Sequence, residues 1–296
     1  MASKSFYRFH ELLVEVDASL AGSFWPVWRW KLDPYKCLYS DEIPDLCLRS
    51  ARGWEPKGPW QKKARRDVGL FFMDTFSSSS GEILFEYGRK TTGECFVRLW
   101  MSADRREIRL LSDCSDTAGS LPFELLGQLM PQVLLGHGII TFHGVLMEYE
   151  KNGIILSASS GTGKTTHARL WRDTKDALIL NGDRAACSLE NNRWIGFGLP
   201  WSGTSGEQIN RSVPVRAFTA IRQSEENRAE RLEGLEAFEA LMPNILYPSW
   251  NREMTGRALD HLDQFMAKVP VFRLYCRPDT EAVDVLYQAL LENGIL

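Results

Sequence analysis

The chain has few cysteines for its length, and none of them are paired. Six stand at positions 37, 47, 95, 114, 187 and 276 of 296 residues, with no Cys-x-x-Cys among them. That scatter excludes a disulfide framework and a zinc ribbon, and the expectation is reduced, mostly buried thiols. No run approaches the apolar length of a membrane span. The opening MASKSFYRFHELLVEVDASL carries charge where a secretory signal needs its apolar stretch, so a cytoplasmic chain with no membrane partner is expected. An excess of charge of either sign is lacking too. A net charge of −3 provides no global basic field, and the densest basic run, Lys62-Lys63-Ala64-Arg65-Arg66, is too short to make nucleic acid a partner. A His/Glu/His cage for a transition metal and a Gly-x-Ser-x-Gly elbow for a hydrolase nucleophile are also absent. No internal repeat is found.

What is present is a globular composition, 44% hydrophobic and 25% charged, long enough for one large domain or two ordinary ones. The first 120 residues mix aromatic stretches with turn signals, and 53–63 reads as loop from its Gly and Pro content. Strands are expected at 68–73, 82–87, 94–101 and 107–111, with TFSSSSGE as a hairpin loop. This describes a β-rich N-terminal domain over 1–120. Trp25, Trp28 and Trp30 suit a partner-binding surface or, more commonly, an aromatic core.

From residue 121 the texture changes to α/β. A helix is expected over 122–138, kinked or divided at Pro131. Strands follow at 141–150, 153–159, 177–180, 193–197, 215–221 and 269–276. Helices are expected near 163–173, 232–242, 253–266 and 279–292. Asp279, Glu281 and Asp284 open the last helix, where acids suit the positive dipole end.

The chemistry concentrates in Ala158-Ser159-Ser160-Gly161-Thr162-Gly163-Lys164-Thr165. Every defining position of the phosphate-loop pattern G-x-x-x-x-G-K-[ST] matches except the first glycine. Such a loop converges backbone N–H groups on phosphate oxygens at a helix N-terminus, so Ser159 to Thr166 form the expected nucleotide site. Lys164 supplies positive charge and the Thr165 hydroxyl is placed for Mg²⁺. Ala158 matters only if that position needs a positive φ or lies against phosphate. The flanking GIIL strand and THARLW helix give the setting the motif requires.

Three further segments carry candidate groups. His143 lies on the preceding strand, 164 − 143 = 21 positions before Lys164. A lone strand histidine is ordinarily structural, but this one is a candidate to aid protonation or polarise phosphate. Asp183 ends the strand ALILNGD, either ligating Mg²⁺ or deprotonating an acceptor hydroxyl, with Asn181 as a helper; an Asn-Gly-Asp turn is the structural alternative. The loop GFGLPWSGTSGEQINRSVP offers Ser202, Gly203 and Arg211 as weaker substrate contacts, since arginine pairs bidentately with anionic oxygens.

The string TFHGVLMEYEKNGIILSASSGTGKTT resembles the HPr kinase/phosphorylase family, whose histidine sits in an H-G-V-L-type strand at this spacing from the loop lysine. SGTGKTT is also similar to the loop of ATP-dependent phosphoenolpyruvate carboxykinases, which share that P-loop fold. Together with LNGDR and CRPDTEAVDVL, it resembles HPr-kinase-related kinases encoded near modified-peptide genes, including those that phosphorylate lasso-peptide precursors on serine. The resemblance covers 121–291.

It implies a P-loop kinase domain over 121–296, ATP and Mg²⁺ as cofactors, and a serine of a protein or precursor peptide as acceptor, recognised by the N-terminal domain. A homo-oligomer is left open, since related kinases form rings. Glu207 would complete the metal shell as a family glutamate does. The chain departs from the family where two adjacent aspartates are usual and Gly182-Asp183 stands instead. A non-catalytic nucleotide-binding module and a small-molecule phosphotransferase therefore stay as alternatives. A carboxykinase is disfavoured by the chain's short length and by its lack of that enzyme's basic and Mn²⁺-binding residues.

Overall fold

A computed structural model describes residues 4–17, 20, 29–38, 41–51, 53–111, 120–159 and 161–296. Trp25, Trp28, Cys114 and Ser160 lie outside the described residues, and Trp30 is exposed. The chain is mixed α/β with two sheets, and it divides into two compact units, Met1–Val133 and Leu134–Leu296.

In the first unit, β1 (Lys4–Phe9), β2 (Leu12–Asp17), β3 (Lys36–Cys37), β4 (Leu46–Ser50), β5 (Gln61–Val68), β6 (Phe71–Ser77), β7 (Ile83–Arg89), β8 (Cys95–Met101) and β9 (Glu107–Leu110) form one sheet. Its order is β3-β1-β2-β4-β9-β8-β7-β6-β5. Alternation drives it: Val97, Leu99 and Met101 of β8 turn inward with Ile108 and Leu110 of β9. Arg109 lies over the rings of Trp54 and Trp100, 4.6 and 5.1 Å from their centroids.

The expected strand at 68–73 is interrupted by a hairpin turn: Val68 ends β5, and 71–73 open β6. Gly69 has φ +57° and Val68 pairs with Phe71, so the chain reverses between them. The loop expected through residue 63 gives way to β5 at Gln61, a charged, exposed edge strand whose composition hides it from any apolar periodicity. Helix α1 (Ser120–Gly136) runs on through Pro131, so the helix is not divided there, and the boundary between units falls inside it.

The second unit contains β10 (Ile139–Tyr149), β11 (Asn152–Ser157), α2 (Lys164–Lys175), β12 (Leu178–Asn181), β13 (Arg184–Glu190), β14 (Arg193–Phe197), β15 (Ser212–Gln223), β16 (Arg228–Leu232), α3 (Gly234–Leu241), α4 (Arg252–Met266), β17 (Val271–Cys276) and α5 (Thr280–Glu292). Strands β13 and β16 have no counterpart in the sequence reading. RAACSLE offers small residues in place of β-branched ones, and RAERL is mostly charged. Most pairings are antiparallel; β11–β15 and β15–β17 are parallel.

The pairings β10–β11, β10–β13, β13–β14, β14–β15 and β15–β11 close a five-strand circuit. Gly196 is needed inside it, because a Cβ there would lie 2.9 Å from Val215 and 3.0 Å from Leu146. One core joins this circuit to α3 and α4, including Phe142, Leu146, Leu180, Phe218 and Phe265. A second core packs α2 and α5 through Trp171, Ala168, Leu286 and Leu290. Asp279 caps α5 by accepting a hydrogen bond from the Ala282 N–H at 3.0 Å.

Candidate functional site

Strand β10 changes partners at one residue. Its first half, Ile139 to His143, pairs with β13, and its second half, from Gly144, pairs with β11. His143 stands at that switch. Its carbonyl accepts from the Ser157 hydroxyl at 2.7 Å, tying it to the end of β11 where the Gly-rich loop begins. Gly144 permits the close strand approach, since a Cβ there would lie 2.9 Å from the Leu156 carbonyl oxygen. The Gly144 N–H donates to the Asp183 carbonyl at 2.9 Å, so Asp183 is fixed beside His143.

Gly161 and Gly163 both have positive φ, +79° and +106°, and Gly163 is the residue that opens α2. No atom would block a Cβ at either position, so the requirement for glycine there is one of dihedral angle. Ala158 is not among the residues of positive φ. Its methyl packs in the core beside Ile154 and Ala168, so the missing first glycine leaves the backbone unstrained. Among the described members of the loop, Ser159, Gly161 and Thr166 are exposed, and Thr162, Gly163 and Thr165 are half-buried.

Lys164 is nearly buried. Its ammonium donates to the Ala158 carbonyl at 2.9 Å and lies 2.9 Å from His143 Nε2. An ammonium has no lone pair to offer, so Nε2 is the acceptor and the imidazole proton sits on Nδ1. That nitrogen is 3.8 Å from Asp183 Oδ1. Burial pushes the Lys164 amine below its ordinary range, opposed by the Asp183 charge. Arg184 Nε stands 3.5 Å from Asp183 Oδ2. The carboxylate thus sits between an imidazole and a guanidinium. Arg184 is the functional neighbour the sequence reading passed over, although it directly follows Asp183 in Asn-Gly-Asp-Arg.

Asn181 is fully buried. Its Nδ2 donates to the carbonyls of Leu199 and Trp201, at 2.8 and 3.2 Å, and its Oδ1 accepts from the N–H groups of Asp183 and Arg184, at 3.0 and 2.8 Å. Its role is to shape the turn that carries Asp183, with no capacity left for a ligand.

The loop after β14 closes this turn. Gly203 has φ +57°, and a Cβ on it would lie 2.8 Å from Asp183 Cγ, so it packs against the carboxylate. Ser202 is buried, its hydroxyl donating to Gln208 Oε1 at 3.0 Å. Glu207 receives Arg172 at 3.0 Å and Arg169 at 3.3 Å, both from α2. Arg211 forms a bidentate pair with Glu148. The geometry gives these four residues structural partners, and it brings His143, Lys164 and Asp183 together. His167, just past the loop, is held by Trp171 Nε1 at 3.3 Å, and burial pushes its pKa down to about 4, so it stays neutral.

Glycine at position 182 has a steric reason here. A Cβ on Gly182 would lie 2.0 Å from Ser205 Oγ and 2.7 Å from Ser205 Cβ. Gly182→Asp is expected to lower unfolding free energy by about 2–3 kcal/mol, in the range of overpacking. Ser205→Gly in the same chain removes the clash and is expected to recover most of that loss. Urea unfolding of both single variants and the double variant checks it, and additive losses would contradict the clash.

No protein-family model matches the chain, and no curated protein matches it either. Among solved structures it is similar to the "Hpr(Ser) kinase/phosphatase from Coxiella burnetii", at 14% identity and a TM-score of 0.31, over 52% of this chain and 89% of that one.

Proposed function

We propose that the chain is a phosphotransferase that moves the γ-phosphate of MgATP to a hydroxyl group. The observation that supports this reading is the line Lys164–His143–Asp183 at the mouth of a glycine loop that opens a helix. Two left-handed glycines and the free N–H groups of the first turn of α2 suit phosphate oxygens. Among the described residues no group of three or more His, Cys, Asp or Glu is placed to hold a metal ion. The Thr165 hydroxyl and the Asp183 carboxylate are oxygen donors of the kind Mg²⁺ takes, one or two from protein with the shell completed by phosphate and water. Thr165 and Asp183 would hold it.

Bound MgATP supplies the phosphoryl group to be transferred. Lys164 neutralises charge on the outer phosphates, and in turning toward them it releases His143 Nε2. That nitrogen then accepts the proton of the acceptor hydroxyl while the acceptor oxygen bonds to Pγ and the Pγ–O bond to the diphosphate breaks. Asp183, which faces the Nδ1–H of the ring, stabilises the imidazolium that forms.

The acceptor in this proposal is a serine of a protein or ribosomal precursor peptide, of the kind modified in lasso-peptide tailoring, with the β-rich first unit as its recognition module. The likeness of SGTGKTTHARLW and LNGDR to kinases of such peptides supports that extension. The lack of room for a second carboxylate at Gly182 favours the alternative, a nucleotide-binding module without catalysis.

One assay separates them. Purified chain is incubated with γ-labelled ATP, Mg²⁺ and a panel of serine peptides, proteins and small hydroxyl compounds. Transfer to a peptide serine is expected, with Asp183→Asn slower by about two to three orders of magnitude, the usual worth of an acid–base or metal-holding group. ATP binding with no transfer to any acceptor would establish the binding module, and transfer only to small hydroxyl compounds would sink the peptide assignment.

A further inference from the structure

At the end of β11 remote from the Gly-rich loop lies an open cleft of about 450 Å³ in the second unit. Its rim carries Lys151, Arg193, Arg216 and Lys268, and its floor is formed by the buried Trp194 and Val269. No acidic residue lines it. Lys268 donates to Asn192 Oδ1 at 2.5 Å, and among the described residues none of the four cations meets a carboxylate. Several other arginines of this unit are paired: Arg172 with Glu207, Arg273 with Glu230, Arg277 with Asp279. Four unpaired cations around one concavity repel one another, and a bound anion removes that repulsion.

The backbone adds an independent sign. The hairpin joining β10 to β11 turns through Glu150 and Lys151 at φ +48° and +64°. That two-residue turn normally takes Asn or Gly, as the neighbouring Asn191-Asn192 turn does. Lys151 is held on the rim at a conformational cost. The volume falls within the range of small-molecule sites, and two arginine forks suit oxyanions that accept bidentate pairs. Asn152 lines the cleft and Ser157 ends the same strand beside the loop, so about 17 Å of strand separates the two places. One phosphate group cannot serve both.

We infer that this cleft binds a small polyanion carrying two or more phosphate groups. The inference does not depend on the phosphotransferase reading, because its test is made in a Lys164→Ala chain.

Calorimetric titration of that chain with pyrophosphate, without magnesium, is expected to show one site, weakening as salt rises. Adding Arg193→Ser with Arg216→Ser should lower its affinity at least about tenfold, or 1.4 kcal/mol. Lys151→Gln with Lys268→Gln provides a second pair should circular dichroism find the first unfolded. Lys57→Ser with Lys63→Ser, in the other unit, should change nothing. Absence of binding in Lys164→Ala, indifference to both cleft pairs, or an equal loss in the control pair would overturn the site. Citrate binding tighter than pyrophosphate would overturn the phosphate assignment.

Discussion

Replacing Lys164 with alanine is expected to reduce phosphoryl transfer by about three orders of magnitude in kcat/KM while leaving the fold in place. One preorganised donor aimed at developing charge contributes about 10²–10³-fold on its own. Lys164 does more than that, because its departure toward phosphate is also what frees His143 Nε2. The fold should survive for a related reason. Burial already holds the amine below its ordinary range, so its charge is not at ease there, and removing it strands the Ala158 carbonyl and His143 Nε2, both beside an exposed loop. Lys164→Arg should not restore activity, since a planar fork cannot replace a point donor held between a carbonyl and an imidazole. Steady-state transfer of labelled phosphate, read beside a urea curve, checks both halves. A Lys164→Ala chain that retains a tenth of wild-type kcat/KM would rule out the mechanism drawn here.

The largest stability effect is expected at Asn181. Asn181→Ala removes four hydrogen bonds at a fully buried position and leaves two carbonyls and two N–H groups without that partner. Each buried orphan costs about 1–3 kcal/mol, and partial relaxation of the turn brings the total to about 4–5 kcal/mol. Asn181→Asp keeps the two bonds accepted from Asp183 and Arg184 and loses the two it donates, so it should fall between alanine and wild type. A change in unfolding free energy below 1 kcal/mol for Asn181→Ala would show that the turn is held by something else. Because the same amide orients Asp183, transfer should drop in any Asn181 variant that still folds.

What the sequence revealed was local in character. The loop from Ala158 to Thr165 lies between an apolar strand and a helix that can be recognised without knowing any distant contact, and the spacing from His143 to Lys164 follows from one hairpin plus one loop. The reasons for Gly182 and Asn181 were hidden because their partners, Ser205, Leu199 and Trp201, come from a loop about twenty residues further on. An Asn-Gly-Asp string reads as turn chemistry whether or not a second loop closes over it. In the same way Ser202 and Gly203 looked like ligand contacts because small polar residues suit either a ligand or a tight backbone approach, and here they serve the latter. In the first unit, β5 and the turn at Gly69 are not legible from the sequence pattern. Edge strands are charged to discourage pairing, and a glycine between apolar residues marks a reversal only once the partner strand is known.

The closed strand circuit has a consequence for the order in which the second unit acquires its parts. Its closing seam joins Gly153–Ser157 to residues 215–220, about sixty positions away along the chain. Bringing such distant segments together is the slow kind of contact, limited by loop-closure entropy rather than by local propensity. The Gly-rich loop leaves β11 immediately after that seam. During synthesis, Lys164 therefore emerges from the ribosome well before the strand that fixes its approach exists, and the site can be assembled only after residue 220 is available.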